Sequence, residues 1–325
     1  MNAVALNNYY AIVDGCGLIE LPDHALIWGT GRDRLDLLHR MSTNDLTGMR
    51  PNEGRATVLT TALARIVDRL IVVNLEETSE ISKISGVLEA PRVLMLGSAR
   101  MGQKIRRWLA GYIFFQDEVM FTDASTEMTQ LRLFGPRAGA VAEALAPGAS
   151  ALKPYHVLRQ DGAIIGRGDP LGGDSFFIVV EKGQAPMWGE RALAAGAVTA
   201  TPEVYDVIRI ESGLPEIDRE ISEDYIPLEA NLWNDVSFSK GCYIGQEIIA
   251  RMESRGKLAK RLTGWRSEGP LALTEFSGGA ITSVTESPRF GWIALGYVKP
   301  AQVEVGTEFE LNGTRATIAA LPFTG

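Results

Sequence analysis

The segment Lys240-Gly241-Cys242-Tyr243-Ile244-Gly245-Gln246-Glu247 sets a thiol close to an ammonium and between two glycines, just ahead of a stretch that reads as a helix, Gly245–Met252. The positive end of a helix and a nearby cation both favour thiolate over thiol, so Cys242 has the surroundings of a nucleophile or redox partner. A buried, inert thiol is the other reading, since free cysteine is among the most buried residue types. The residues alone leave the two level. Upstream, Asp206–Glu211 alternates charged and apolar residues before Gly213 and Pro215, the pattern of an exposed strand face carrying Arg209 and Glu211. Downstream, Arg251, Arg255, Lys257, Lys260 and Arg261 form a basic stretch, either a solvated linker or an attractor for a polyanionic tail or acidic partner.

Composition narrows the remaining chemistry. The 325 residues include two cysteines, Cys16 and Cys242, and three histidines, His24, His39 and His156. That is too few soft ligands for an all-protein zinc site or a four-cysteine iron–sulfur cage, and no metal site is expected. A disulfide scaffold is excluded on the same count. Lys plus Arg number 32 against 40 Asp plus Glu, a net charge of −8, which argues against broad binding to nucleic acid or anionic membrane. The purest apolar runs, Leu70–Val73 and Phe176–Val180, have strand length, well short of the roughly 20 residues of a membrane span. Met1–Tyr10 has no basic region followed by an apolar one, so a cytoplasmic protein with reduced thiols is expected.

The elements that must position these residues are mixed. Ala25–Ile27 reads as a strand, and Arg32–Met41 as a helix with Leu35, Leu38 and Met41 on one face. Ala56–Thr60 and Ile66–Val73 read as paired strands, Val93–Leu96 as a strand and Ala99–Leu109 as a helix. Gln130–Phe134, Gly135-Pro136 and Ala138–Leu145 give strand, turn and helix, with Pro136 placed in the first helical turn. Ile164–Gly166, Phe176–Val180 and Met187–Ala195 add two strands and a helix. From about Leu258 only short strands follow: Leu262–Trp265, Gly279–Val284, Trp292–Val298 and Thr314–Ala319. The order predicts an α+β fold over residues 1–255 and a small all-β unit over residues 256–325.

KGCYIGQE followed by AR resembles the signature of the folate-binding YgfZ family, relatives of the glycine-cleavage T-protein (aminomethyltransferase). RDRLDLLHRMSTNDL, LRLFGPRAGAVAEAL and RIESGLPEID with IPLEANL resemble further segments of the same family. The resemblance implies a three-domain ring around a folate channel, made of two interleaved α+β subdomains and a C-terminal β-barrel. It implies a tetrahydrofolate or related cofactor held by His24, Asn74, Tyr205, Arg209, Glu211, Gln246, Glu247 and Arg251, with Asp68, Lys240 and Cys242 as the reactive set. The pterin-gripping Glu of the T-protein falls on Gly173, which together with Cys242 points to the YgfZ branch. The function so implied is an accessory protein supporting iron–sulfur cluster assembly or repair, including clusters of tRNA-modifying enzymes. Its partners would be a reduced folate and iron–sulfur assembly proteins or client enzymes. The alternatives are a tetrahydrofolate-dependent aminomethyltransferase or demethylase, and a binding scaffold that lost both chemistries.

Overall fold

A computed structural model describes residues 1–75, 92–256 and 258–324. Lys257 of the basic stretch lies outside the described residues. Two mixed layers make up most of the chain. The first sheet is antiparallel, in the order β3-β4-β5-β2-β6. Its strands are β2 (His24–Thr30), β3 (Gly54–Thr60), β4 (Ile66–Leu75), β5 (Arg92–Ala99) and β6 (Met120–Asp123). The second has the order β11-β1-β7-β10-β9-β8, with only β1 and β11 parallel. Its strands are β1 (Gly17–Glu20), β7 (Met128–Gly135), β8 (Val157–Gln160), β9 (Ala163–Arg167), β10 (Asp174–Glu181) and β11 (Val198–Thr199).

Successive strand side chains point to opposite faces, and here both faces are buried. Phe176, Ile178 and Val180 of β10 pack under the helices Ala138–Leu145 and Ala185–Ala194, with Val141 and Trp188 in the same core. The intervening Phe177 and Val179 pack against Leu26, Val73, Leu94 and Leu96 of the first sheet. On the far side of that sheet, Leu70, Val72, Val93 and Met95 meet Leu37 and Leu38 of the helix Arg34–Met41 and Ile105 of the helix Gly102–Ala110. Two sheets thus face each other with helices outside both. This accounts for strands that read as continuous apolar runs rather than clean alternation.

Several expectations hold, including the paired strands β3 and β4 and the Arg34–Met41 helix. Two do not. Asp206–Glu211 is the end of a helix, Pro202–Glu211, and Arg209 and Glu211 are 4% and 3% exposed rather than lying on an open strand face. The alternation in Val207–Glu211 hides a helical stripe of Val204, Val207 and Ile208, started by Thr201, whose side chain accepts from the Val204 N–H, and by Pro202. Pro136 sits in the turn before its helix, which begins at Ala138.

The helix Gln246–Arg255 leads into a third sheet, antiparallel throughout, in the order β13-β14-β15-β12-β17-β16. Its strands are β12 (Arg261–Ser267), β13 (Thr274–Phe276), β14 (Gly279–Ser287), β15 (Gly291–Val298), β16 (Glu308–Leu311) and β17 (Thr314–Ala319). Trp265 fills its core with Phe276 and Phe309 edge-on to the indole. Among the described residues no helix is long and apolar enough to cross a membrane.

Candidate functional site

A cavity of about 300 Å³ opens where the inner ends of both α+β sheets meet the helix Pro202–Glu211 and the loops at 213–217 and 230–235. Its charged floor is built on Arg69. Along β4 the residues 68, 70 and 72 face the outer helices, so Arg69 and Ile71 face inward and line the cavity. The Arg69 guanidinium donates to both Asp169 carboxylate oxygens, at 2.7 and 2.9 Å, and to Asp235 Oδ2 at 2.6 Å. It also reaches Tyr155 Oη at 3.1 Å, and that hydroxyl donates to Asp169 Oδ1 at 2.6 Å. Burial opposes the charge on Asp169, yet Arg69 and the Tyr155 hydroxyl hold its carboxyl down to about 2. Burial and the neighbouring Asp169 push Tyr155 well above the usual phenol range. One cation therefore ties together a strand of the first sheet, the loop after β9 and the loop at 235.

The wall opposite carries Arg132 on β7 and His24 on β2. Arg132 donates to Ser175 Oγ at 3.0 Å, Tyr205 Oη at 3.2 Å and the Asp169 carbonyl at 3.3 Å. Tyr205 is set edge-on against Phe134, with ring centroids 5.4 Å apart. His24 is half-buried at the cavity wall, and burial, then the charge of Arg132, hold its imidazole down to about 4. The ring is thus neutral near pH 7.

The structure gathers some of the residues singled out from the sequence and disperses the rest. His24, Tyr205 and Arg209 line the cavity; Asp68, Asn74, Glu211, Lys240, Cys242, Gln246, Glu247 and Arg251 do not. Asp68 is fully buried on the helix side of β4 and accepts from Ser98 Oγ at 2.6 Å, from the Ser98 N–H at 3.0 Å and from the Arg69 N–H. Burial pushes its carboxyl up to about 6 against those hydrogen bonds. Its part is to position Ser98, which does line the cavity, and Gly97 leaves it room, since a Cβ there would stand 2.9 Å from Asp68 Oδ2. Asn74 is a structural link that accepts from Arg34 and donates to the Met49 carbonyl. Arg209 commits four of its five N–H donors to Asp206, the Leu214 carbonyl, Glu220 and Ser283, so it braces the helix against β14 rather than offering a free fork. Glu211 binds Tyr9, Ser287 and Arg289.

The signature segment also departs from expectation. Lys240 buries its ammonium against three carbonyls, those of His39, Ser42 and Asn44, and lies over the Tyr243 ring. Burial holds it down to about 7. Its hydrogen-bonding capacity is spent on the loop after the Arg34–Met41 helix, so it is not a free partner for the thiol. Cys242 is exposed on the surface ahead of the helix Gln246–Arg255, which settles the choice between buried and accessible thiol in favour of access. Gln246, the first residue of that helix, accepts from the Tyr243 N–H of the preceding turn, while Glu247 and Arg251 face solvent. Gly173 has φ +144°, and a Cβ there would stand 2.5 Å from the Gly135 carbonyl carbon, so no side chain fits at that position in this backbone. Its neighbour Asp174 is paired with Arg167 at 2.5 Å, and neither replaces a cavity carboxylate. Arg69, Arg132, Tyr155, Asp169 and Asp235 were not singled out from the sequence. The inward parity of β4 at Ile71 and Val73 was the available signal for Arg69.

A family model described as the GCVT N-terminal domain matches residues 1–240. A putative chloroplastic transferase of Arabidopsis thaliana is 28% identical over 91% of this chain and 68% of its own length. An aminomethyltransferase of Geobacillus kaustophilus is 28% identical over 96% of this chain and 88% of its own. Among solved structures, the glycine cleavage system aminomethyltransferase T from Bartonella henselae superposes with a TM-score of 0.84 at 24% identity, over 98% of this chain and 89% of that one. That likeness concerns the fold.

Proposed function

The chain belongs to the GCVT N-terminal domain family, and from that membership we propose that its central cavity binds a reduced folate, in an accessory rather than a transferase role. The observation that carries the reading is the state of the cavity's acids. Asp169 and Asp235 are both paired with Arg69, and Glu216 lies 3.6 Å from Arg209 and 3.4 Å from Arg219. Asp68, which the family resemblance places in the reactive set, faces away from the cavity. No unpaired carboxylate among the described residues faces the cavity to orient a reacting amine, which supports binding without one-carbon turnover.

The donor set suits the group. About 300 Å³ is the low end of the range for small-molecule sites and matches a bicyclic ring better than a whole folate. Tyr205 offers an aromatic edge, and Gln130, Asn231, Asn234 and the neutral His24 imidazole offer polar partners for ring nitrogens. When bound, a reduced folate supplies nitrogens that carry one-carbon units. Calorimetry with folinic acid is expected to give micromolar binding, with no methylene-folate formed from tetrahydrofolate and methylamine-type donors. Turnover would move the protein to the aminomethyltransferase reading, which the names of its relatives favour.

The second half of the reading is support for iron–sulfur enzymes, including those that modify tRNA. Its structural support is the accessible Cys242, which lies outside the cavity and so is open to a partner protein. Cells carrying Cys242→Ser are expected to lose most of the activity of cluster-dependent enzymes while the purified variant still binds folinic acid. Full complementation by the variant would remove Cys242 from the function.

A further inference from the structure

We propose that Arg132 is a carboxylate anchor in the wall of the cavity, a subsite for a ligand's acid group that no motif of the sequence marks. The inference rests on the folate reading only for one of its two possible ligands. A guanidinium carries five N–H donors. Three go to neutral oxygens, on Ser175, Tyr205 and the Asp169 main chain, which leaves one N–H on Nη1 and one on Nη2. Among the described residues Arg132 makes no ion pair, because the nearby Asp169 carboxylate is committed to Arg69. Its charge is felt by the neutral His24 on the same wall and, without a direct contact, by the Asp169 carboxylate.

A half-buried guanidinium without a direct carboxylate partner is held by three hydrogen-bond acceptors and has two N–H groups to spare. A planar carboxylate fills such a fork with two parallel hydrogen bonds. The class of anion follows from the rest of the wall. Asp169, Asp235 and Glu216 also face the cavity, so a carboxylate group, with one charge, meets less repulsion at the fork than a phosphate group with two charges on one centre. Arg209 competes poorly for the acid group, since it is ion-paired with Asp206 and Glu220 and has no pair of N–H groups left.

One chemistry has two sources: the glutamyl tail of a folate, or a separate small carboxylic acid bound beside the ring. Calorimetry on the full chain separates them with three probes: folinic acid, the corresponding reduced pterin without its aminobenzoylglutamate tail, and succinate, with dimethyl succinate as the uncharged control. Arg132→Gln is expected to weaken at least one carboxylate probe tenfold or more and leave the pterin unchanged. Arg132→Lys, which keeps the charge and loses the fork, is expected to recover part of that loss, and it serves as the primary variant if Arg132→Gln does not fold. Loss confined to folinic acid assigns the anchor to the folate tail; loss confined to succinate, measured with saturating pterin, assigns it to a separate acid. Equal affinity of wild type and both variants for every carboxylate probe overturns the proposal, as does a wild type that binds neither folinic acid nor succinate. Failure of the pterin and folinic acid together, with succinate still bound and sensitive to Arg132, overturns the folate reading and leaves the anchor standing.

Discussion

Arg69→Met is expected to destabilise the protein by about 3–5 kcal/mol at pH 7, a drop in Tm of roughly 5–15 °C. The side chain it removes stands between two carboxylates, Asp169 and Asp235, whose side chains are 16% and 4% exposed. Methionine fills similar space but leaves both acids in a low-dielectric site without the cation they pair with, and that loss sets the size of the effect rather than any intrinsic strength of the ion pairs. The pH profile supplies an independent check. In the wild type Asp169 is held at about 2 against an ordinary 3.8, so its contribution is complete above about pH 4 and is lost as pH falls towards 2. Without Arg69, burial, the largest influence on Asp169, is opposed only by the Tyr155 hydroxyl and the charge of Arg132, and the pKa is expected to rise above the ordinary value. The folded variant then takes up a proton more readily than the unfolded chain, and acid relieves its defect. Thermal melts between pH 7 and pH 3 should therefore converge as pH falls. Parallel melts with a constant gap would mean that Arg69 acts through packing alone. Folinic acid binding should weaken as well, because three separate elements of the cavity floor lose their common tie.

Arg209→Met is expected to cost a similar amount, about 3–5 kcal/mol, by chemical denaturation. Its guanidinium closes a buried network in which Glu220, with a fully buried side chain, accepts at 3.2 Å and Ser283 of β14 accepts at 2.9 Å. Ser283 and Thr282 donate to the same Glu220 carboxylate at 2.7 and 2.6 Å, and the Tyr297 hydroxyl donates to the Glu220 main-chain carbonyl. Removing the arginine leaves the Glu220 charge with neutral donors only, the two hydroxyls and the Glu216 N–H. Because the helix Pro202–Glu211 is joined to the C-terminal sheet through this network and through Glu211 with Ser287 and Arg289, the variant should also show earlier protease cleavage after the helix Gln246–Arg255. Loss of folate binding in this variant would accordingly report on the fold and not on a direct contact. A variant with wild-type stability but no folate binding would restore Arg209 as a direct ligand.

The strand alternation of β4 shows how far the residues could be read without coordinates. Ile71 and Val73 alternate with Leu70 and Val72, and extending that parity back assigns Asp68 and Arg69 to opposite faces. Which face held the cavity was not legible, because both are apolar and both are covered, one by helices and the other by a second sheet. Alignment with the family's Asp selected the neighbouring residue. For Arg209 and Glu211 the alternating charges suggested an exposed strand, and the helix-start residues Thr201 and Pro202 outweighed that pattern. Arg132 lay inside a strand that was identified correctly, but a single charge in an apolar run does not reveal whether a carboxylate faces it.

By itself the sequence determined the order of α+β elements followed by short antiparallel strands, the scarcity of metal-ligating side chains and membership of the GCVT N-terminal domain family, because periodicity, turn residues and motif spacing are local properties. Only the tertiary structure decided which charges are paired. It spent Lys240 on three carbonyls, Arg209 on Glu220 and Ser283, and Arg69 on two aspartates, and it left Arg132 without a carboxylate. Those pairings join residues up to about 200 positions apart, such as Lys240 with His39, and the cost of burying a charge depends on what stands within a few ångströms of it.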